Sequence, residues 1–336
     1  MAIAALKSPP AAPMTLDALL GLVKNDIVAV NEVILGSIDN DVILIRRIAE
    51  HIIASGGKRL RPSLTLACSR LCGYSGTRHV GLAAAVELIH TATLLHDDVV
   101  DESTLRRGSE TANAIWSNQS SVLVGDFLLS RAFQLMVADG SLPVLKILSD
   151  ASATISKGEV MQLAAANNPA TTEAQYLEII LKKTAALFAA ATEIGALVAD
   201  TPQYQKALRN FGEYLGIAFQ LADDALDYSA DQQKLGKTVG DDFREGKITL
   251  PVIIAYREGT DEERRFWNRT LEHYDQREGD LEHAISLLAK HKSIARTMAT
   301  AADYARKAEA ELAEFPTNEA NTALVAAARF CASREF

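Results

Sequence analysis

Residues 94–102 read Leu94-Leu95-His96-Asp97-Asp98-Val99-Val100-Asp101-Glu102, an acidic cluster closing a strongly apolar run that carries helical spacing over residues 79–102. A helix turns about 100° per residue, so Asp97 and Asp101 fall one turn apart on one face with Asp98 beside them. Three like charges on one turn repel each other unless an opposite charge joins them. A solvated helix end is one reading of a single such cluster. The spacing returns as Asp223-Asp224-Ala225-Leu226-Asp227, again behind an apolar run (residues 215–221) and not on a polar face. Two such clusters on otherwise buried helices are poorly explained as solvated faces. Together they point to a shared cation site.

Outward from these clusters, Ala, Leu, Ile and Val recur at helical spacing through almost the whole chain, and the period-2 alternation of half-buried strands is scarce. The spacing predicts an all-α fold with helices over 15–35, 39–55, 62–72, 79–102, 111–117, 120–138, 141–165, 173–199, 203–230, 248–257, 261–274, 278–289 and 291–332, the last broken near residues 315–317. Turn-forming residues are sparse, no stretch reads as a long linker, and no repeat period stands out. One helical domain over residues 15–336 is expected, preceded by an Ala- and Pro-rich lead-in, residues 1–14, read as disordered.

A length of 336 residues and 48% hydrophobic content allow a sizeable core. The formal net charge of -9 argues against nucleic acid as a partner, which requires clustered basic charge. Residues 1–14 lack the apolar run of a signal peptide, and no stretch reads as the ~20 apolar residues of a membrane span. The three cysteines, Cys68, Cys72 and Cys331, form no disulfide framework and read as small apolar core residues of a cytoplasmic protein.

Hard oxygen ligands without partnering His or Cys favour Mg²⁺, which takes a few carboxylates and fills its remaining positions from substrate phosphates. A phosphorylated substrate is therefore expected. Basic residues supply its complement in Gly56-Gly57-Lys58-Arg59-Leu60-Arg61-Pro62, Arg106-Arg107-Gly108, Lys182-Lys183-Thr184, and Lys237 and Lys247 flanking Gly240-Asp241-Asp242. Any one of these taken alone is more often a surface residue than a diphosphate clamp.

The ordered set of 56–62, Leu94 to Asp101, 106–108, Lys183-Thr184-Ala185, Phe219-Gln220-Leu221-Ala222-Asp223-Asp224-Ala225-Leu226-Asp227-Tyr228 and 236–242 resembles the trans-polyprenyl diphosphate synthases, especially their bacterial octaprenyl to decaprenyl branch. The resemblance runs from about residue 15 onward. It implies the isoprenoid synthase helical bundle around a deep central cavity, with Asp97, Asp101, Asp223 and Lys183 as the catalytic set. It also implies Mg²⁺ on Asp97, Asp101, Asp223 and Asp227. Arg106, Lys183, Thr184, Gln220, Lys237 and Lys247 would attend the allylic diphosphate, and Lys58, Arg61, His90 and Arg107 isopentenyl diphosphate. His90 lies seven residues before Asp97 on about the same face, which favours a place at the cavity wall over a hydrogen-bonded core histidine, while His96 reads as structural. A homodimer and a part in making the ubiquinone side chain are further implications.

In this family the product tunnel is gauged by the residues five and four before the first motif, here Ala92 and Thr93. Small side chains there leave the tunnel open and imply a long product. Phe133 or Met136, on the facing helix, are candidate floors. Three rivals are weighed. A short-chain farnesyl or geranylgeranyl synthase conflicts with Ala92 and Thr93. A non-catalytic subunit of a heteromeric prenyltransferase conflicts with two intact motifs. A di-iron carboxylate protein needs Glu-x-x-His pairs, and none is built around these aspartates.

Overall fold

Helix-spaced apolar residues collapse into helices that follow one another from Asp17 to Ser333 in the computed structural model, which describes residues 15–39, 41–54, 56–229 and 239–333. In chain order these are α1 (Asp17–Leu22), α2 (Lys24–Ile38), α3 (Ile43–Ala54), α4 (Leu60–Leu71), α5 (Arg78–Val100), α6 (Ala112–Ile115), α7 (Asn118–Asp139), α8 (Leu142–Ala165), α9 (Glu173–Ile180), α10 (Ala186–Val198) and α11 (Pro202–Leu226). Further helices occupy Asp241–Arg244, Leu250–Glu258, Asp261–Trp267, Asp280–Lys290, Ser293–Glu311 and Glu319–Ser333. The all-α expectation holds. Lys237 and the lead-in at 1–14 lie outside the described residues.

From Leu82 to Ile89 every side chain of α5 is buried, the mark of a helix enclosed on all sides. It packs on α7 and α4, while α10 packs on α4 and α11, and α11 packs on Ser293–Glu311. Burying a side chain the size of Phe188 or Phe211 on these faces is worth roughly 2–3 kcal/mol each. Helix starts are set locally: Ser117 and Ser141 cap α7 and α8, and a Thr172–Gln175 capping box opens α9.

The structure departs from the periodicity in several places. The helix expected over 15–35 is interrupted at Val23. The one expected over 173–199 contains a π-helical turn, Leu181–Ala185, between α9 and α10. The stretch between the helices expected over 203–230 and 248–257 contains the short helix Asp241–Arg244. Strands β1 (Leu105–Arg106) and β2 (Ser109–Glu110) form a two-residue hairpin about Arg107 and Gly108, both left-handed at φ 53° and 78°. That backbone matches the twist of a ribbon, and Gly108 takes it freely, whereas Arg107 incurs a cost of about 1 kcal/mol.

The π turn is gripped from both sides. A Cβ on Gly158 of α8 would lie 2.5 Å from the Lys183 nitrogen, and one on Gly216 of α11 would lie 2.6 Å from Ala185 Cα. Only glycine lets three backbones approach so closely. Lys183 and Thr184 are thereby fixed between α8 and α11. Residues 239–249 are anchored by Phe243, buried at 6.4 Å centroid distance from Trp267, with its carbonyl accepting from Gln276 Nε2 at 2.8 Å.

No stretch read as a membrane span, yet among the described residues α7 alone is, by length and composition, long and apolar enough to cross one. It lies along α5 and leaves Leu123, Phe133 and Val137 exposed. Of the two candidate tunnel floors on this helix, Met136 is fully buried and Phe133 is 37% exposed.

Candidate active site

The acidic cluster of α5 meets lysines from two distant segments. Lys183 Nζ, in the π turn, lies 3.9 Å from Asp97 Oδ2 and 2.6 Å from Glu159 Oε2 of α8. Lys247 Nζ lies 3.4 Å from Asp101 Oδ2 and 2.5 Å from Glu245 Oε2. Asp98, fully buried, turns the other way and accepts from Arg106 Nε and Nη2 at 2.7 and 2.6 Å. The middle residue of the cluster is thus tied to the hairpin, and its neighbours face the lysines.

The α11 cluster is supported differently. Buried Asp224 accepts from Tyr176 Oη at 2.5 Å and Gln220 Nε2 at 2.7 Å, and Gln220 Oε1 in turn accepts from Thr184 Oγ1 at 2.8 Å. Asp227 Oδ2 accepts the Asp242 backbone N–H at 3.1 Å, while its carbonyl accepts from Gly240 N–H at 2.8 Å. Asp223 projects outward from the same turn and is exposed.

These surroundings set the charges. Burial raises Asp224 to about 7, against the pull of its Tyr176 and Gln220 hydrogen bonds, and raises Asp227 to about 6. Burial also lifts Asp97, opposed by Lys183 and reinforced by Asp101. Glu159 rises to about 7 through burial and the Asp97 charge. Burial acts to lower Lys183, but Asp97 and Glu159 outweigh it and the net shift is upward. One lysine cannot fully neutralise two carboxylates, so Glu159 holds its proton to higher pH than an ordinary carboxylate while Lys183 keeps its charge.

A basic cluster lies beside α5, toward its middle. Arg61 Nη1 stands 3.1 Å from His90 Nε2 and its guanidinium 4.4 Å from the centre of the Phe188 ring. Burial and the nearby Arg61, Arg107, Arg106 and Arg59 hold His90 far below its ordinary value, so the ring is neutral and accepts from Arg61. Arg61 itself is lowered to about 10 by burial, with Glu87 opposing. Lys58 Nζ lies 4.8 Å from the Phe330 ring centre. A Cβ on Gly57 would meet Arg107 Nη1 at 2.7 Å.

The structure therefore gathers the expected residues into an acidic and lysine-bearing group (Asp97, Asp101, Lys183, Lys247, with Thr184 and Gln220 adjoining Asp224) and a basic group (Arg61, His90, with Lys58 and Arg107 on neighbouring loops). Arg106 is the exception, being engaged with Asp98. Ala92 is buried, and half-buried Thr93 donates to the His90 carbonyl at 2.8 Å. His96 packs on Gly125 of α7, with Nε2 3.2 Å from the Val122 carbonyl, in keeping with a structural role. A cavity of about 400 Å³ at the start of α7, lined by Asn118, Gln119, Val122 and Leu123, contains none of these groups.

Glu159, Tyr176 and the Arg59–Glu87 ion pair were not anticipated. Glu87, a lone carboxylate in the apolar run before His90, was the readable signal. Glu87 and His90 do have Glu-x-x-His spacing, but both are engaged by arginines, which removes them as a di-iron pair. Among the described residues no three His, Cys, Asp or Glu side chains converge to hold a metal unaided.

An all-α bundle with two acidic helix ends, one of them faced by lysines, is the arrangement of a prenyl diphosphate synthase, and the comparisons agree with it. The polyprenyl synthetase family model matches residues 42–288, and the chain belongs to that family. It is 44% identical to octaprenyl diphosphate synthase of Escherichia coli (strain K12), over 96% of this chain and 100% of that one. The decaprenyl diphosphate synthase structure from Rhodobacter capsulatus superposes with TM-score 0.91 at 49% identity, covering 95% and 99% of the two chains. A polyprenyl synthase from Caulobacter crescentus CB15, complexed with calcium and isoprenyl diphosphate, gives TM-score 0.93 at 49% identity, covering 97% and 100%.

Proposed function

We propose that the protein is a long-chain trans-polyprenyl diphosphate synthase, extending an allylic diphosphate by repeated head-to-tail condensation with isopentenyl diphosphate to an octaprenyl to decaprenyl product. The observation that carries this reading is the convergence of Lys183 and Lys247, from separate segments, on Asp97 and Asp101. Cations already resting on carboxylates are placed to transfer to a diphosphate held at the same point.

Asp97, Asp101, Asp223 and Asp227 are the carboxylates to hold Mg²⁺, and their all-oxygen donor set without a closed cage suits an ion that completes its shell with phosphate oxygens. Bound there, Mg²⁺ supplies positive charge against the leaving diphosphate. Lys183, Lys247, Thr184, Gln220 and Arg106, together with Lys237 by the resemblance, orient the allylic diphosphate. Its carbon–oxygen bond breaks, the pair leaving with pyrophosphate, and preplaced positive charge favours that state over the bound ester. Lys58, Arg61, His90 and Arg107 hold isopentenyl diphosphate so that its double bond attacks the allylic cation. A carbon–carbon bond forms and a proton passes to the departing pyrophosphate.

Ala92 and Thr93 leave room for the growing chain, which favours a long product over a farnesyl or geranylgeranyl one. Intact acidic ends disfavour a non-catalytic subunit. The exposed apolar residues of α7 favour a homodimer. Cysteines kept as buried or half-buried thiols favour a cytoplasmic setting, and a long prenyl tail fits ubiquinone side-chain synthesis.

The test is to incubate purified protein with farnesyl diphosphate, labelled isopentenyl diphosphate and Mg²⁺, and to size the dephosphorylated products. A product of about forty to fifty carbons, lost with chelator, is expected, and no incorporation with any starter would overturn the reading. Five helical residues advance only about 7.5 Å, so Ala92→Phe, just above Asp97, is expected to shorten the product. An unchanged length would move the gauge elsewhere.

A further inference from the structure

Glu87 is 6% exposed on α5, one turn before His90, and it meets Arg59 Nη1 at 2.5 Å. Arg59 holds φ at +46°, left-handed, as the residue preceding α4. A non-glycine residue there costs about 1 kcal/mol or more and persists only when something holds it. The Glu87 pair is such a hold. The bend it fixes separates Lys58, which turns out over Phe330, from Arg61, which turns in to His90 and Phe188. Glu87 is also the carboxylate that most favours the charged form of both Arg61 and Arg107. One buried carboxylate thus ties the loop at 56–61 to α5 and stands amid several cations.

We infer that Glu87 is a positioning residue for isopentenyl diphosphate: through its ion pair with Arg59 it shapes the cationic loop that receives this second diphosphate, and it does not touch the allylic side. The inference rests on the function proposed above. It predicts an asymmetry that a purely structural carboxylate would not produce. Losing the pair frees the Arg59 backbone to relax, so Lys58 and Arg61 no longer present together, while Lys183, Lys247 and the acidic ends keep their places.

The experiment is steady-state kinetics on Glu87→Gln with each substrate varied in turn, alongside the unaltered protein. The KM for isopentenyl diphosphate is expected to rise by about tenfold, with the KM for the allylic diphosphate and kcat within about twofold, and Glu87→Asp is expected to recover much of the loss. Arg59→Ala removes the pair and leaves the strained left-handed backbone unheld, and serves as the second variant should Glu87→Gln not fold. It is expected to show the same selective rise. Equal changes in both KM values, or none in either, would overturn the inference while leaving the function intact. Failure of the unaltered protein to condense the two substrates would instead overturn the function itself.

Discussion

The two acidic helix ends share one spacing and have opposite surroundings. At the end of α5 the carboxylates meet full charges: Lys183 and Lys247 face Asp97 and Asp101, and Arg106 takes Asp98. At the end of α11 the donors are neutral: the Tyr176 hydroxyl, the Gln220 amide and the Asp242 backbone N–H. Neutral donors offset the desolvation of a carboxylate less than a paired cation does, so Asp224 and Asp227 rise to about 7 and 6. The first end is neutralised in part by the protein, with Asp97 and Glu159 still raised beside Lys183. Under the proposed function the second end draws more of its positive charge from a bound metal ion, which makes it the end expected to respond more to what binds.

The largest effect expected is on turnover. Asp97→Ala and Asp223→Ala should each lower kcat by about a thousandfold while far-UV circular dichroism and the melting midpoint stay close to those of the parent. Near-normal turnover in Asp223→Ala alone would break the equivalence and leave the metal role to α5. The next effect is on stability and separates the two middle aspartates. Asp98→Asn strands the Arg106 charge beside a buried amide and should cost about 3 kcal/mol in urea unfolding at pH 7. Asp224→Asn retains an oxygen for Tyr176 or Gln220 and should cost only about 1 kcal/mol. Equal losses would mean that the nature of the donors does not matter.

The sequence carried most of the fold because its helices bury apolar faces at fixed spacing, and both acidic ends were visible for the same reason. What it hid was contact across the chain. Glu159 is one residue from Gly158 in α8, and nothing local says that Gly158 admits the Lys183 backbone or that Glu159 then meets its ammonium. Tyr176 reaches Asp224 over 48 residues of sequence. The π turn, the Arg107 hairpin and the left-handed Arg59 are backbone states that periodicity does not encode, since tertiary contacts and not local propensity hold them. The motif assigned Arg106 to a substrate but did not show that its guanidinium rests on Asp98, because a motif gives residue type and order but not which way a side chain turns.

The smallest effect sharpens the contrast through pH. Glu159 has a folded value of about 7, above the ordinary 4.5 that it takes when unfolded. Between these values the folded protein binds the proton more tightly than the unfolded chain, so stability falls as pH rises from about 4.5 to 7 and the loss is complete above 7. Glu159→Gln removes that titration. The parent should therefore lose about 1–2 kcal/mol more than Glu159→Gln between pH 5 and pH 8, read from urea unfolding without metal at matched ionic strength. The side chain is 28% exposed, which keeps the figure below the full value of the shift. Parallel curves for the two proteins would mean that Lys183 neutralises both Glu159 and Asp97, and the end of α5 would then carry no surplus negative charge at all.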